Sequence, residues 1–116
     1  MADITIYHNG QCSKSKGALE LLRDSGAPFD VRWYLAEPLS ASELQMLLTQ
    51  LGMNPSQLIR RNEPLFIDKY AGKTLKEDEW LQIMVAEPEL IERPIVAKGG
   101  KAIIARPPEL VLDFIK

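Results

Sequence analysis

The sequence DITIYHNGQCSKSK occupies residues 3–16, and its pattern changes halfway along. The first half alternates apolar and polar side chains, which predicts a short strand over residues 3–8. The dipeptide Asn9-Gly10 is typical of a turn and ends that strand. Apolar residues then recur at helical spacing and predict a helix over residues 13–25. Cys12 therefore falls at the junction between a strand and a helix.

The pattern after this junction predicts a second strand and then a helical middle third. Residues 29–34 alternate again, so they form a βαβ unit with the first strand and helix. Three helix starts follow, at the capping box Ser40-Ala41-Ser42-Glu43, at Asn54-Pro55 with an end near Arg60-Arg61, and at a second capping box, Thr74-Leu75-Lys76-Glu77. The helix that follows the first capping box ends before Gly52.

The last third returns to strand signals. Residues 95–97 and 102–104 are apolar and flank Gly99-Gly100, which predicts a tight hairpin. Pro107-Pro108 is expected to open a closing helix whose apolar positions are Leu110, Val111, Phe114 and Ile115. The sequence thus predicts one α/β domain over residues 1–116. Its four-stranded mixed sheet has a helical insertion between a βαβ half and a ββα half.

Composition and charge exclude several classes of function. The 116 residues carry a formal net charge of −2, so no overall attraction to nucleic acid or to a membrane surface is expected. No secretory signal or membrane-spanning apolar run is present, and we expect a cytoplasmic protein, more often monomeric than oligomeric. A single cysteine excludes an internal disulfide and any metal site that needs two thiolates.

Cys12 is the main candidate for chemistry. A helix N-terminus favours a thiolate, and Lys14 and Lys16 add positive charge nearby. The hydroxyls of Ser13 and Ser15 could donate hydrogen bonds to an anion beside the sulfur, and His8 could support the thiolate if its ring faces the loop. These residues alone leave a second interpretation open, because a lone cysteine is often a small buried apolar side chain.

The amino-acid sequence around Cys12 resembles that of a known family. His8-Asn9-Gly10-Gln11-Cys12-Ser13-Lys14-Ser15-Lys16 resembles the active-site loop of the glutaredoxin-dependent arsenate reductase family (ArsC-like). Further segments resemble the family in order along the chain: Tyr34-Leu35 with Pro38, Leu58-Ile59-Arg60 with Glu63-Pro64-Leu65, Ile91 to Val96 with Gly99-Gly100-Lys101, and Ala105-Arg106-Pro107-Pro108. The resemblance covers nearly the whole chain, which is similar to the shorter members.

The resemblance implies a thioredoxin-like fold and a set of site residues. Cys12 would be the nucleophile, and Arg60, Arg93 and Arg106 would hold an oxyanion through their planar guanidinium groups. Pro94 would be the cis-proline that lies beside the reactive cysteine in such folds. Without the family, each arginine would more simply be a surface charge.

The resemblance also implies an activity, the reduction of arsenate to arsenite with glutathione as co-substrate and glutaredoxin as partner. No bound cofactor or metal is implied. Gly10 and Lys16 depart from the proline and arginine common in the family. Two alternatives remain: a regulator that binds RNA polymerase, similar to Spx, and a thiol reductase with another substrate. The regulator's Cys-x-x-Cys switch is absent, since Ser15 occupies the second position.

Overall fold

The computed structural model describes residues 3–8 and 13–115. Its strands are β1 (Ile4–His8), β2 (Phe29–Trp33), β3 (Ile95–Lys98) and β4 (Lys101–Ile104). Its α-helices are α1 (Ser13–Ser25), α2 (Ala41–Leu51), α3 (Pro55–Leu58), α4 (Pro64–Lys69), α5 (Glu77–Ala86) and α6 (Leu110–Phe114), with a 3-10 turn at Pro88–Leu90. The chain forms two compact units, and residues 38–92 make up the second. No helix in these described ranges is both long and apolar enough to cross a bilayer.

The first unit is built on a four-stranded mixed sheet in the order β2-β1-β3-β4. β1 runs parallel to β2 and antiparallel to β3, and β3 and β4 are antiparallel. Helices α1 and α6 contribute Leu22 and Val111 to a core that includes Ile4, Ile6 and Val96 from the sheet. The predicted mixed sheet and the thioredoxin-like fold are confirmed.

The turn between β3 and β4 explains the paired glycines. Gly99 and Gly100 have φ angles of 57° and 83°, a left-handed conformation that side chains with a Cβ atom rarely adopt. Two such residues in succession match the twist of a two-residue hairpin. The predicted hairpin is confirmed.

The second unit is helical, and its first capping box is confirmed. The Ser40 hydroxyl accepts from the Glu43 N–H at 3.1 Å, and the Ser40 N–H donates to the Glu43 carboxylate at 3.0 Å. The helix ends at Gly52, whose φ of 69° again needs the freedom of glycine. α3 stops at Leu58, earlier than predicted, because Ile59 leaves the helix and forms a β-bridge with Ile91.

Two predicted helix starts were wrong, and one helix was missed. α5 begins at Glu77, two residues later than a helix capped by Thr74 would begin, because the glutamate that reaches back is Glu79, which accepts from the Lys76 N–H at 3.0 Å. α6 begins at Leu110, since Pro107 and Pro108 lie in a preceding turn, and the Leu110 side chain is exposed. The sequence analysis also missed α4, which has Pro64 as its first residue.

Candidate functional site

Three strand ends meet at one edge of the sheet in the first unit. Tyr7 lies opposite Ile95, so the end of β1 adjoins the start of β3. Ile95 lies opposite Ile104, and the Ala105 N–H donates to the Pro94 carbonyl at 2.8 Å, which extends the hairpin past its last strand pair. His8, the last residue of β1, and the two arginine-proline pairs just outside β3 and β4 therefore belong to the same sheet edge.

His8 ties this edge to the first turn of α1. Its ring is buried, and Nδ1 lies 2.7 Å from the Ser15 hydroxyl, a hydrogen-bonding distance. Trp33 on the neighbouring strand meets the ring edge-on, with the ring centres 4.7 Å apart. Burial, and next the charge of Lys16, lower the pKa of His8 from its usual value of 6.5. His8 is therefore a neutral ring near pH 7 and anchors α1 by hydrogen bonding.

The predicted supporting residues on α1 have different surroundings. Ser15 is fully buried and hydrogen-bonded to His8, so its hydroxyl fastens the helix to the sheet. Lys16 is exposed on the same helix. The side chains of Ser13 and Lys14 lie outside the part of the chain that the structure describes, as does Cys12, the proposed nucleophile.

Arg93 and Arg106 flank the hairpin at this edge. Arg93 precedes β3 and Arg106 follows β4, and each side chain is half-buried with its Nε atom shielded from solvent. Both arginines precede a proline, and both peptide bonds are cis. The predicted cis bond at Pro94 is thus confirmed, whereas the one between Arg106 and Pro107 was not anticipated. The two arginines thus stand on either side of one hairpin, each with its Nε shielded from solvent.

Arg60 lies in the second unit, and two glutamates contact it. Its Nη1 is 3.3 Å from a carboxylate oxygen of Glu63, and its Nε is 3.6 Å from one of Glu92. The Arg60 side chain is only 16% exposed. The spacing of three residues between Arg60 and Glu63 was visible in the sequence, but nothing there pointed to Glu92, because a β-bridge brings it close.

Arg61, in contrast, belongs to an aromatic cluster of the second unit. Its guanidinium carbon lies 5.5 Å from the ring centre of Phe66 and 5.6 Å from that of Trp80. Its Nη2 donates to the Ser56 carbonyl at 3.0 Å. These contacts give Arg61 a structural role as a cation over stacked aromatic rings.

Fold and sheet edge together define a class, that of thioredoxin-like proteins with a histidine, a cis-proline and two arginines at the sheet edge where β1 ends. Within residues 3–8 and 13–115, no group of three or more His, Cys, Asp or Glu side chains is arranged to hold a metal ion. The chain belongs to the ArsC family, whose family model matches residues 7–114.

Individual relatives and a solved structure are similar to this chain over most of its length. The chain is 45% identical to the uncharacterised protein YfgD of Escherichia coli, covering 97% of this chain and 96% of that protein. It is 37% identical to an arsenate reductase of Escherichia coli, covering all of this chain and 83% of that enzyme. The solved structure of an arsenate reductase from Vibrio cholerae superposes with a TM-score of 0.90 at 40% identity, covering 97% of each chain.

Proposed function

We propose that this protein is an arsenate reductase that reduces arsenate to arsenite through a single cysteine nucleophile, Cys12, with glutathione and glutaredoxin as electron donors. Family membership and relatives named arsenate reductase support the reaction class. The observation that carries the proposal is the sheet edge at which β1 ends beside the start of β3 and the end of β4, so that His8 shares this edge with Arg93, Pro94 and Arg106. Through Ser15, His8 also joins the edge to the first turn of α1.

Cys12 directly precedes Ser13, the first residue of α1. Backbone N–H groups at a helix start and the positive end of the helix dipole favour a thiolate over a thiol. The guanidinium groups of Arg93 and Arg106 add positive charge at the same sheet edge. A thiolate here would be an activated nucleophile next to a site that attracts oxyanions.

The arginines suit the substrate because arsenate carries its negative charge on oxygens at fixed geometry. A guanidinium group offers paired donors to two such oxygens, which an ammonium group cannot do. Arg60 adds a third guanidinium in our proposal. Its Nη1 is buried yet donates no hydrogen bond within the described part of the chain, so it retains donor capacity for a ligand.

The proposed reaction has four steps. The Cys12 thiolate attacks arsenic and displaces an oxygen ligand, which leaves as water after protonation, and the arginines stabilise the remaining oxygens. Glutathione then displaces a second water, so that arsenic is bonded to both sulfurs. The glutaredoxin thiolate takes the glutathione sulfur, the two sulfurs form a mixed disulfide, and arsenic keeps the electron pair of the broken bond. Hydrolysis of the bond to Cys12 releases arsenite.

A second thiol from another molecule is necessary because the chain contains one cysteine. The test measures arsenite formation by the purified protein, with glutathione and glutaredoxin omitted in turn. We expect turnover only when both are present. Turnover with neither would contradict the proposed donors. A Cys12 that reacts with disulfides but gives no arsenite would favour the alternative of a thiol reductase with another substrate.

A further inference from the structure

Backbone hydrogen bonds hold the main chain of Arg60 in place, independently of its side-chain contacts. The Arg60 N–H donates to the Leu90 carbonyl at 2.7 Å, and the Glu92 N–H donates to the Leu58 carbonyl at 3.0 Å. Between these two bonds, Ile59 and Ile91 face each other in the β-bridge, and both are buried. Arg60 and Glu92 are therefore held on two short segments that cannot shift independently.

The two glutamates contact different nitrogens of the Arg60 guanidinium. Glu92 lies against Nε at 3.6 Å, whereas Glu63 lies against Nη1 at 3.3 Å. Each glutamate side chain is 26% exposed. The Glu63 contact is an ion pair without a hydrogen bond, since Nη1 donates none within the described ranges.

These contacts have different consequences for a ligand. An oxyanion bound by two parallel N–H groups at the tip of the guanidinium uses Nη1 and Nη2. A carboxylate at Nε leaves that edge open and restricts rotation of the guanidinium plane, while a carboxylate at Nη1 lies against the edge that the oxyanion needs. Two neighbouring carboxylates of equal charge can therefore change the affinity of the same arginine for an oxyanion in opposite directions.

We propose that Glu92 is a positioning residue that orients Arg60 toward the oxyanion, and that Glu63 competes with the oxyanion for Nη1. This inference rests on the proposed function, because it assumes that Arg60 binds the substrate oxygens. It predicts that replacing Glu92 by Gln weakens oxyanion binding, whereas replacing Glu63 by Gln strengthens it. Charge alone predicts the same sign for both, since removing either carboxylate reduces repulsion of an anion.

The test measures how well arsenate, and separately inorganic phosphate, protect Cys12 from iodoacetamide, so it requires no turnover. We expect Glu92→Gln to raise the half-protecting concentration about two- to tenfold, and Glu63→Gln to lower it by a similar factor. Glu92→Asp keeps the charge but shortens the side chain, and it should also weaken protection. This variant keeps the test decisive if Glu92→Gln fails to fold.

Two controls separate a positioning role from a general effect on stability. Glu87→Gln removes the same charge in the same unit, where Glu87 pairs with Lys69 and Tyr70. In this variant, arsenate and phosphate should protect Cys12 as well as they do in the wild type. In an Arg60→Lys background, Glu92→Gln should add little further loss, because Glu92 acts through the guanidinium.

Several results would overturn the inference. Tighter or unchanged protection in Glu92→Gln, weaker protection in Glu63→Gln, or fully additive losses with Arg60→Lys would each contradict the proposed roles. These outcomes leave the proposed function standing if the wild-type thiol is protected by arsenate. A wild-type thiol that neither oxyanion protects would remove the oxyanion site itself, and the inference with it.

Discussion

At the scale of single residues, Arg93 and Arg106 flank one hairpin, each next to a cis-proline and each with a buried Nε. Burial of the stem limits the conformations of a long side chain and lowers the entropy lost when a ligand binds. The two guanidinium groups are thus better prepared for an oxyanion than freely exposed arginines would be.

Replacing either arginine by lysine separates charge from geometry. Arg93→Lys and Arg106→Lys keep the positive charge but lose the paired donors, so arsenate turnover should fall. Loss of one charge-assisted hydrogen bond corresponds to about a 10- to 150-fold drop in kcat/KM. Steady-state assays with circular dichroism of each variant measure this, and wild-type kcat/KM in both would exclude the two arginines from the site.

Arg61→Lys is the matched control for these substitutions. Arg61 lies over Phe66 and Trp80, so lysine should leave turnover unchanged while lowering the free energy of unfolding by about 0.5–1 kcal/mol. Urea unfolding measures the second effect. A large loss of turnover without loss of stability would mean that Arg61, and not only its neighbour, contacts the substrate.

The thiol of Cys12 should be acidic. The start of α1 and the nearby cations favour its charged form, although His8, as a neutral ring near pH 7, contributes no positive charge to this effect. Alkylation rate measured against pH should show an inflection below about 8.5, the value of an ordinary thiol. An inflection at or above that value would remove the basis for an activated nucleophile.

At the scale of elements, the hydrogen bond between His8 and Ser15 joins the end of β1 to the first turn of α1. Both side chains are buried, so the bond satisfies two polar groups that would otherwise be costly to bury. The two elements on either side of residues 9–12, which include Cys12, are thereby fixed to each other.

The burial of His8 makes stability depend on pH. The pKa of His8 is lowered in the folded protein, so the unfolded chain binds the proton more readily once the pH falls below about 6.5. The free energy of unfolding should therefore decrease as the pH drops from 7 to 5. His8→Asn removes this titration, and urea unfolding at several pH values should show a weaker dependence in the variant. An identical pH dependence in both proteins would contradict the lowered pKa.

The two capping boxes show when a local sequence pattern predicts the start of a helix correctly. The box at Ser40 was predicted correctly because its serine and glutamate, three residues apart, each bond to the other's backbone. At Thr74 a similar pattern was wrong by two residues, since Lys76 and Glu79 provide the actual start. Two overlapping patterns compete there, and the packing of Trp80 and Met84 against the rest of the unit was not visible in the sequence.

At the scale of the whole molecule, the four strands and their mixed sheet followed from the sequence because each strand signal was short and clearly bounded. The Gly99-Gly100 turn and the helix between β1 and β2 leave few ways to connect four strands. The basic site residues were predicted through the family resemblance, not through spacing. The contact of Arg60 with Glu92 could not be predicted, because it depends on a pairing between distant segments, the bridge from Ile59 to Ile91. The bond of His8 to Ser15 could not be predicted either, since it depends on how α1 packs on the sheet.

The most direct test of the central claim compares arsenite release by the wild-type protein and by Cys12→Ser, with glutathione and glutaredoxin present. Serine keeps the shape of the side chain, but its hydroxyl stays protonated at neutral pH. We therefore expect sustained turnover by the wild type and none by the variant, with nearly equal melting temperatures. Arsenite release by Cys12→Ser, or none by the folded wild type, would contradict the assignment of arsenate reduction to Cys12.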